Sequence, residues 1–138
     1  MKVQHVPLDY VNQVWPQVEV FLSGAVDQQA GDKDYTIEQI KVCVTSGKWM
    51  LAVVLDDDNN LCGAMTIDFY NRPNARVAFI TYIGGRSIAN DEAFTQLCAL
   101  CKNFGATKIE GAVNESVSRL WRKFGFTEKY RIAEVSLL

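Results

Sequence analysis

Residues 104–126 read FGATKIEGAVNESVSRLWRKFGF, and the fold is decided there. Phe94, Leu97, Cys98, Cys101 and Phe104 recur at helical spacing, so Gly105 closes a helix over Phe94 to Phe104. Lys108 to Val113 predicts a strand. Asn114 then opens a short helix, with Val117, Leu120, Trp121 and Phe124 on one face and Gly125 as its stop. Immediately upstream, Arg76 to Ile83 is an apolar strand. Strand, helix and strand across Arg76 to Val113 make a right-handed crossover, the one place where a parallel pair is expected.

Working outward, Arg72-Pro73-Asn74-Ala75 is a turn, because proline presets φ at its second position and asparagine tolerates the third. It joins Leu61 to Tyr70 to the Arg76 strand as an antiparallel hairpin. Asp56 to Asn60 is a turn by composition. WMLAVVL, Trp49 to Leu55, is too apolar for a half-exposed strand and should be central, covered on both faces. Thr36 caps a helix with Gln39 completing a capping box; Ile37, Ile40 and Val44 share its face and Gly47 ends it. Val11, Val14, Trp15, Val18, Phe21 and Leu22 form another helical stripe, in which Pro16 predicts a kink or restart. Gly24 to Asp34 reads as a loop, Lys2 to Val6 as a first strand, and Phe126 to Leu138 as a final strand region. The order is β α α β β β α β α β, one continuous domain over 1–138.

The chain has 138 residues, 49% hydrophobic and 22% charged, with 14 basic against 16 acidic side chains and a net charge of −2. A chain of this size buries enough surface to fold without disulfides or a structural metal. The basic excess that phosphate backbones attract is missing, which argues against nucleic acid and acidic membranes as partners. No signal peptide and no membrane-length apolar run is visible, so the expected location is cytoplasmic. Cys98 and Cys101 have C-x-x-C spacing, yet they fall inside a helix instead of at its start, and both are expected as small buried hydrophobes. Cys43, Cys62 and His5 are scattered singly and suggest no metal site. His5, the lone histidine, is expected to be structural or exposed.

The element order, with Asn114 opening the last helix, Phe124-Gly125-Phe126 closing it and Gly63 early in the third strand, resembles the GCN5-related N-acetyltransferase (GNAT) family over nearly the whole chain. The resemblance implies an α/β (α+β) fold: a mixed, mostly antiparallel central sheet, helices on both faces and a splayed gap between strands 4 and 5. It implies an acetyl-CoA-dependent N-acetyltransferase, with acetyl-CoA lying in that gap, no metal, and an amine acceptor on a small molecule or a protein. The pantetheine would pair with Thr81, Tyr82 and Ile83, and the phosphates would meet Gly84 to Asp91, with Gly84, Gly85 and Arg86 in contact. Asn114 and Trp121 are further candidate contacts.

The chain departs from the family pattern at three places. The family loop Q/R-x-x-G-x-G/A is here GGRSIANDEAF. Asn90, Asp91 and Glu92 suit a capped helix whose acids complement its dipole, and two carboxylates there oppose a pyrophosphate. Trp121 stands where many members carry a tyrosine acid, and an indole cannot act as one. Its alternative role is as a core side chain. Twelve residues follow Phe126, against the two strands usual in the family, so the acceptor side is expected to be open, and the short last strand leaves an edge that a second copy could cover. Asp68 and Glu110 are the candidate bases, each equally readable as a solvated carboxylate. Tyr82 or Tyr70 could supply the acid. Gly-Gly-Arg after the fourth strand, with the compact length, also resembles small phage-encoded GNAT-like proteins. In that reading the chain is an inactive binding or assembly component in a host cell.

Overall fold

The computed structural model describes residues 1–88 and 90–138. Five strands form a single sheet in the order of the chain: β1 (Lys2–Val6), β2 (Met50–Leu55), β3 (Leu61–Arg72), β4 (Ala75–Gly85) and β5 (Lys108–Gly111). Neighbours are antiparallel except β4 and β5, which are parallel across the helical crossover. The helices are α1 (Val11–Asp27), α2 (Ile37–Thr45), α3 (Asp91–Asn103) and α4 (Glu115–Arg122).

β2 explains why the core has two halves. Leu51 and Val53 face Trp15, Val18 and Leu22 of α1 and Ile40 and Val44 of α2. Ala52 and Val54 face the opposite way, toward Leu97 and Cys101 of α3 and Trp121 of α4. A strand buried on both sides must be apolar throughout, and WMLAVVL is.

Local signals set most boundaries. The Thr36 hydroxyl accepts from the Gln39 N–H, and the Gln39 side chain accepts from the Thr36 N–H. Asn90 and Asn114 cap α3 and α4 through the N–H groups of Ala93 and Val117. Pro73-Asn74 is the turn between β3 and β4, with Arg72 paired to Ala75.

Two expectations fail. α1 neither kinks into a restart at Pro16 nor ends at Gly24; it runs unbroken to Asp27. The stripe Val11, Trp15, Val18, Leu22 and Val26 is buried along its whole length. That burial outweighs one backbone bond lost at Pro16 and the weak propensity of Gly24. The second failure is the tail. Phe126 to Leu138 carries no strand; only Phe126 is drawn in, against Trp121 at 4.7 Å between ring centroids, while the side chains beyond it stay exposed.

No helix among the described residues is long and apolar enough to cross a membrane.

Candidate functional site

β4 separates from β5 part-way along its length. Their pairing ends at Ile80 and Gly111, whereas β4 continues to Gly85. The separation begins at an irregularity in the β3–β4 register: Thr66 pairs with Tyr82 and Ile67 with Ile80, leaving Thr81 as the extra residue of a bulge. A local staple holds this bulge. The Thr81 hydroxyl donates to the Thr66 carbonyl at 3.0 Å, so its single proton is committed, and the Thr66 hydroxyl donates to Thr81 Oγ1 at 2.6 Å. The same Thr66 oxygen accepts from the Tyr82 N–H at 3.1 Å.

That bond also sets the direction of the next peptide group. With the Tyr82 N–H aimed at β3, alternation along the strand turns the Ile83 N–H and carbonyl toward the open side, beyond the last residue of β5. The gap therefore has an extended wall with unshared backbone groups. At its base lies Trp121, buried against Gly111: a Cβ on that glycine would stand 2.7 Å from the indole.

Tyr82 itself points elsewhere. Its side chain packs in the α1–α2 half of the core beside Tyr35 and Trp49, and its hydroxyl donates to Gln29 at 3.1 Å. Burial, reinforced by Asp34, pushes its pKa up. Both features work against the acid role expected of it.

The loop after β4 is shaped by packing. A Cβ on Gly84 would fall 2.1 Å from the carbonyl oxygen of Phe21, so α1 crosses directly over this backbone. Ser87 is buried and donates to the Gly84 carbonyl at 2.7 Å. Arg86 is exposed and forms no ion pair among the described residues; its backbone N–H donates to Cys62 at 2.8 Å. Ala89, within the expected phosphate loop, lies outside the described residues. Beyond it Asn90 already caps α3, and Glu92 lies 3.3 Å from the Met1 amine, which also meets Asp57 at 2.8 Å. The Asp57 hydrogen bond raises the amine's pKa. Glu92 thus has a structural partner, and Asp91 has none among the described residues.

The carboxylates expected in the cleft are brought together. Asp68, Phe79 and Glu110 are in register on β3, β4 and β5 and share one sheet face. Glu110, however, is committed to Arg72, which reaches across β4 to donate two bonds at 2.6 and 2.8 Å and a third to the Tyr70 hydroxyl at 2.7 Å. Arg72 lowers the Glu110 pKa, which weakens it as a base, and Glu110 raises that of Arg72. Asp68 is half-buried and has no hydrogen-bond partner through its side chain among the described residues.

Sequence reasoning missed Arg72, read only as a turn residue, and Thr66. A threonine inside the buried run LCGAMTI is the signal that could have found it, since buried hydroxyls need partners. Cys101 is buried and its thiol is pushed up to about 12 by desolvation; Cys98, expected beside it on the buried face, is half-exposed. Among the described residues no three metal-ligating side chains converge.

With this geometry the chain can be set beside solved structures. A probable acetyltransferase aligns over 100% of this chain and 97% of its own, with a TM-score of 0.69 at 13% identity. This is the fold of the GCN5-related N-acetyltransferases. A ribosomal-protein-alanine N-acetyltransferase from Brucella melitensis biovar Abortus 2308 shares the acetyltransferase fold with a TM-score of 0.67 at 11% identity, covering 99% of this chain and 100% of its own. Glucosamine-6-phosphate N-acetyltransferase from Arabidopsis thaliana aligns at 0.59 and 11%, over 99% and 97%. No family model and no curated protein sequence matches the chain. At these identities the fold is what the structures share.

Proposed function

We propose that the chain binds acetyl-CoA in the gap between β4 and β5 and transfers the acetyl group to an amine. The observation that carries this reading is the opened β4 edge, Thr81 to Gly85, stapled by Thr66 and turned so that Ile83 presents its backbone outward. An extended amide-bearing arm such as pantetheine fits an edge of this kind because its amides supply the missing strand partners. Bound there, acetyl-CoA supplies an activated acyl group as a thioester. The Ile83 N–H is placed to polarise the acyl carbonyl as charge develops on its oxygen.

The fit is weaker at the phosphate end. Arg86 is the cation available to the pyrophosphate, the α3 start is already capped by Asn90, and Asp91 opposes an anion there. Asp68 is the better placed base of the two carboxylates, because Glu110 is held by Arg72. Tyr70, beside Arg72, is an alternative proton donor to Tyr82. Asn114 is a helix cap, and Trp121 closes the base of the gap from below.

Titration calorimetry with acetyl-CoA tests this reading. Binding is expected, weakened in Arg86→Ala and strengthened in Asp91→Ala. Absence of heat at millimolar ligand would overturn it, and unchanged affinity in both variants would mean that the phosphates lie elsewhere. A second reading is favoured by the commitment of Glu110 to Arg72 and by the indole at Trp121: a protein of this fold that binds without turnover. Acetyl-CoA binding with no transfer to any of a panel of primary amines would select it.

A further inference from the structure

Along β3 the side chains of Ala64, Thr66, Asp68, Tyr70 and Arg72 share one sheet face. Ala64 and Thr66 are buried, Ala64 in the α1–α2 half of the core, whereas Asp68, Tyr70 and Arg72 are half-buried. Asp68 therefore stands where the helical cover gives out, and aromatic rings border it. Phe79 is its partner across the strands, Tyr70 follows it on the same face, and these two rings lie 6.5 Å apart. On the inner side Tyr82, paired with Thr66, packs with Tyr35 and Trp49. A carboxylate bordered by rings suits an alkylammonium: the charge meets the carboxylate and the ring faces, and the methylenes meet the rings.

An amine that also carries a carboxylate or phosphate needs a free cation beside it. Arg72 is the cation on this face of β3, and it is spent. Glu110 takes two of its N–H donors and Tyr70 a third, and the guanidinium lies 5.3 Å from the centre of the Tyr70 ring. Lys108 and Lys129 stand by the same Glu110, on β5 and beyond it, two strands away from Asp68. Inward of Tyr82 the lining is acidic. Gln29, which accepts from the Tyr82 hydroxyl, lines a cavity of about 290 Å³ with Asp32, Asp34 and Glu134. Lys33 is turned away there, its ammonium donating to the carbonyls of Asp27 and Gln29.

We propose that the acceptor is an aliphatic amine bearing no carboxylate or phosphate, its ammonium held by Asp68 against Phe79 and Tyr70, and that Glu110 sets this preference by occupying Arg72. The proposal rests on the acetyl-transfer reading, because this face is the acceptor side of the same gap. Glu110 then acts without touching the acceptor: it removes the one group on β3 that would welcome an anion, and selectivity follows from the wrong acceptor's unpaired charge.

Two probes of equal chain length test this without acetyl-CoA: cadaverine, with an ammonium at each end, and aminovalerate, with one ammonium and one carboxylate. In titration calorimetry the parent should prefer cadaverine by about tenfold or more, and cadaverine should shift the amide resonances of Asp68, Tyr70 and Phe79. Asp68→Asn should lose about tenfold of the cadaverine affinity. Glu110→Gln, with folding checked by circular dichroism, releases Arg72 and should raise aminovalerate affinity by about tenfold over the parent. Should that variant not fold, Glu110→Asp withdraws the carboxylate from Arg72 and should show the same gain in direction. Equal affinity of the parent for both probes, no heat from either at millimolar concentrations, or a folded Glu110 variant without the gain would each overturn the proposal. Acetyl-CoA takes no part in these titrations, so a missing amine preference overturns this proposal alone, and missing acetyl-CoA binding overturns the transfer reading while the amine selectivity is still measured.

Discussion

The hydroxyl of Thr66 is completely buried, and the shape of the gap depends on it. It donates to Thr81, accepts from the Tyr82 N–H, and by turning that N–H inward leaves Ile83 facing outward. Thr66→Val keeps the volume and removes the oxygen, orphaning a buried N–H, which should cost about 1 to 3 kcal/mol in urea denaturation. Acetyl-CoA affinity should fall with it, because the bulge loses its staple. Thr66→Ser should lose much less of either; a loss in Thr66→Ser with none in Thr66→Val would show that the methyl group, not the hydroxyl, is what matters. The glycines at this scale teach a related point. Gly84 is legible in the sequence as a residue that lets something approach the backbone, but the thing that approaches is the carbonyl of Phe21 in α1. Nothing local to GGRSIAND distinguishes a helix crossing from a phosphate, because that difference lies 63 residues away in the chain, at Phe21.

At the scale of elements, caps and turns were readable because their causes are local. Thr36 with Gln39, Asn90, Asn114 and Pro73-Asn74 each act within a few residues, and each occurs where its pattern says. α1 was misjudged because its breakers are local and its support is not. Pro16 cannot bond the Asn12 carbonyl and adds a steric clash, about 3 kcal/mol in a regular helix interior. What keeps the helix continuous through it is burial of Trp15, Val18 and Leu22 against the sheet and α2. Pro16→Ala should therefore stabilise the protein. The restored bond and relieved clash are worth about 3 kcal/mol, and the looser unfolded chain takes back about 1, so a gain of about 2 kcal/mol is expected by chemical denaturation. No gain would mean that the first turns of α1 have already relaxed around the ring.

For the molecule as a whole, the order of strands and helices as far as α4 and the parallel pair were legible, since each follows from apolar periodicity and the handedness of one crossover, whereas the gap was expected only from the resemblance to the GCN5-related family. The tail was not: alternation in TEKYRIAEVSLL marks a segment suited to being a strand, while pairing requires an edge within reach. The ion pair of Arg72 with Glu110 was equally hidden, because it joins β3 to β5 over the intervening strand. Its two side chains are 29% and 19% exposed, so solvent screens it only in part, and its effect should appear in the pH dependence of stability. Arg72 lowers the Glu110 pKa in the folded chain, so the unfolded chain takes up this proton more readily than the folded one. The stabilisation is therefore complete above the unfolded carboxyl's value, about 4.3, and is lost as pH falls through the lowered folded value. Glu110→Gln should be less stable than the parent at neutral pH, and the two denaturation midpoints should converge as the pH is taken below about 4. A difference that stayed constant through that range would mean the carboxylate's charge contributes nothing and the pair serves only to pack Tyr70 and Phe79 across the sheet.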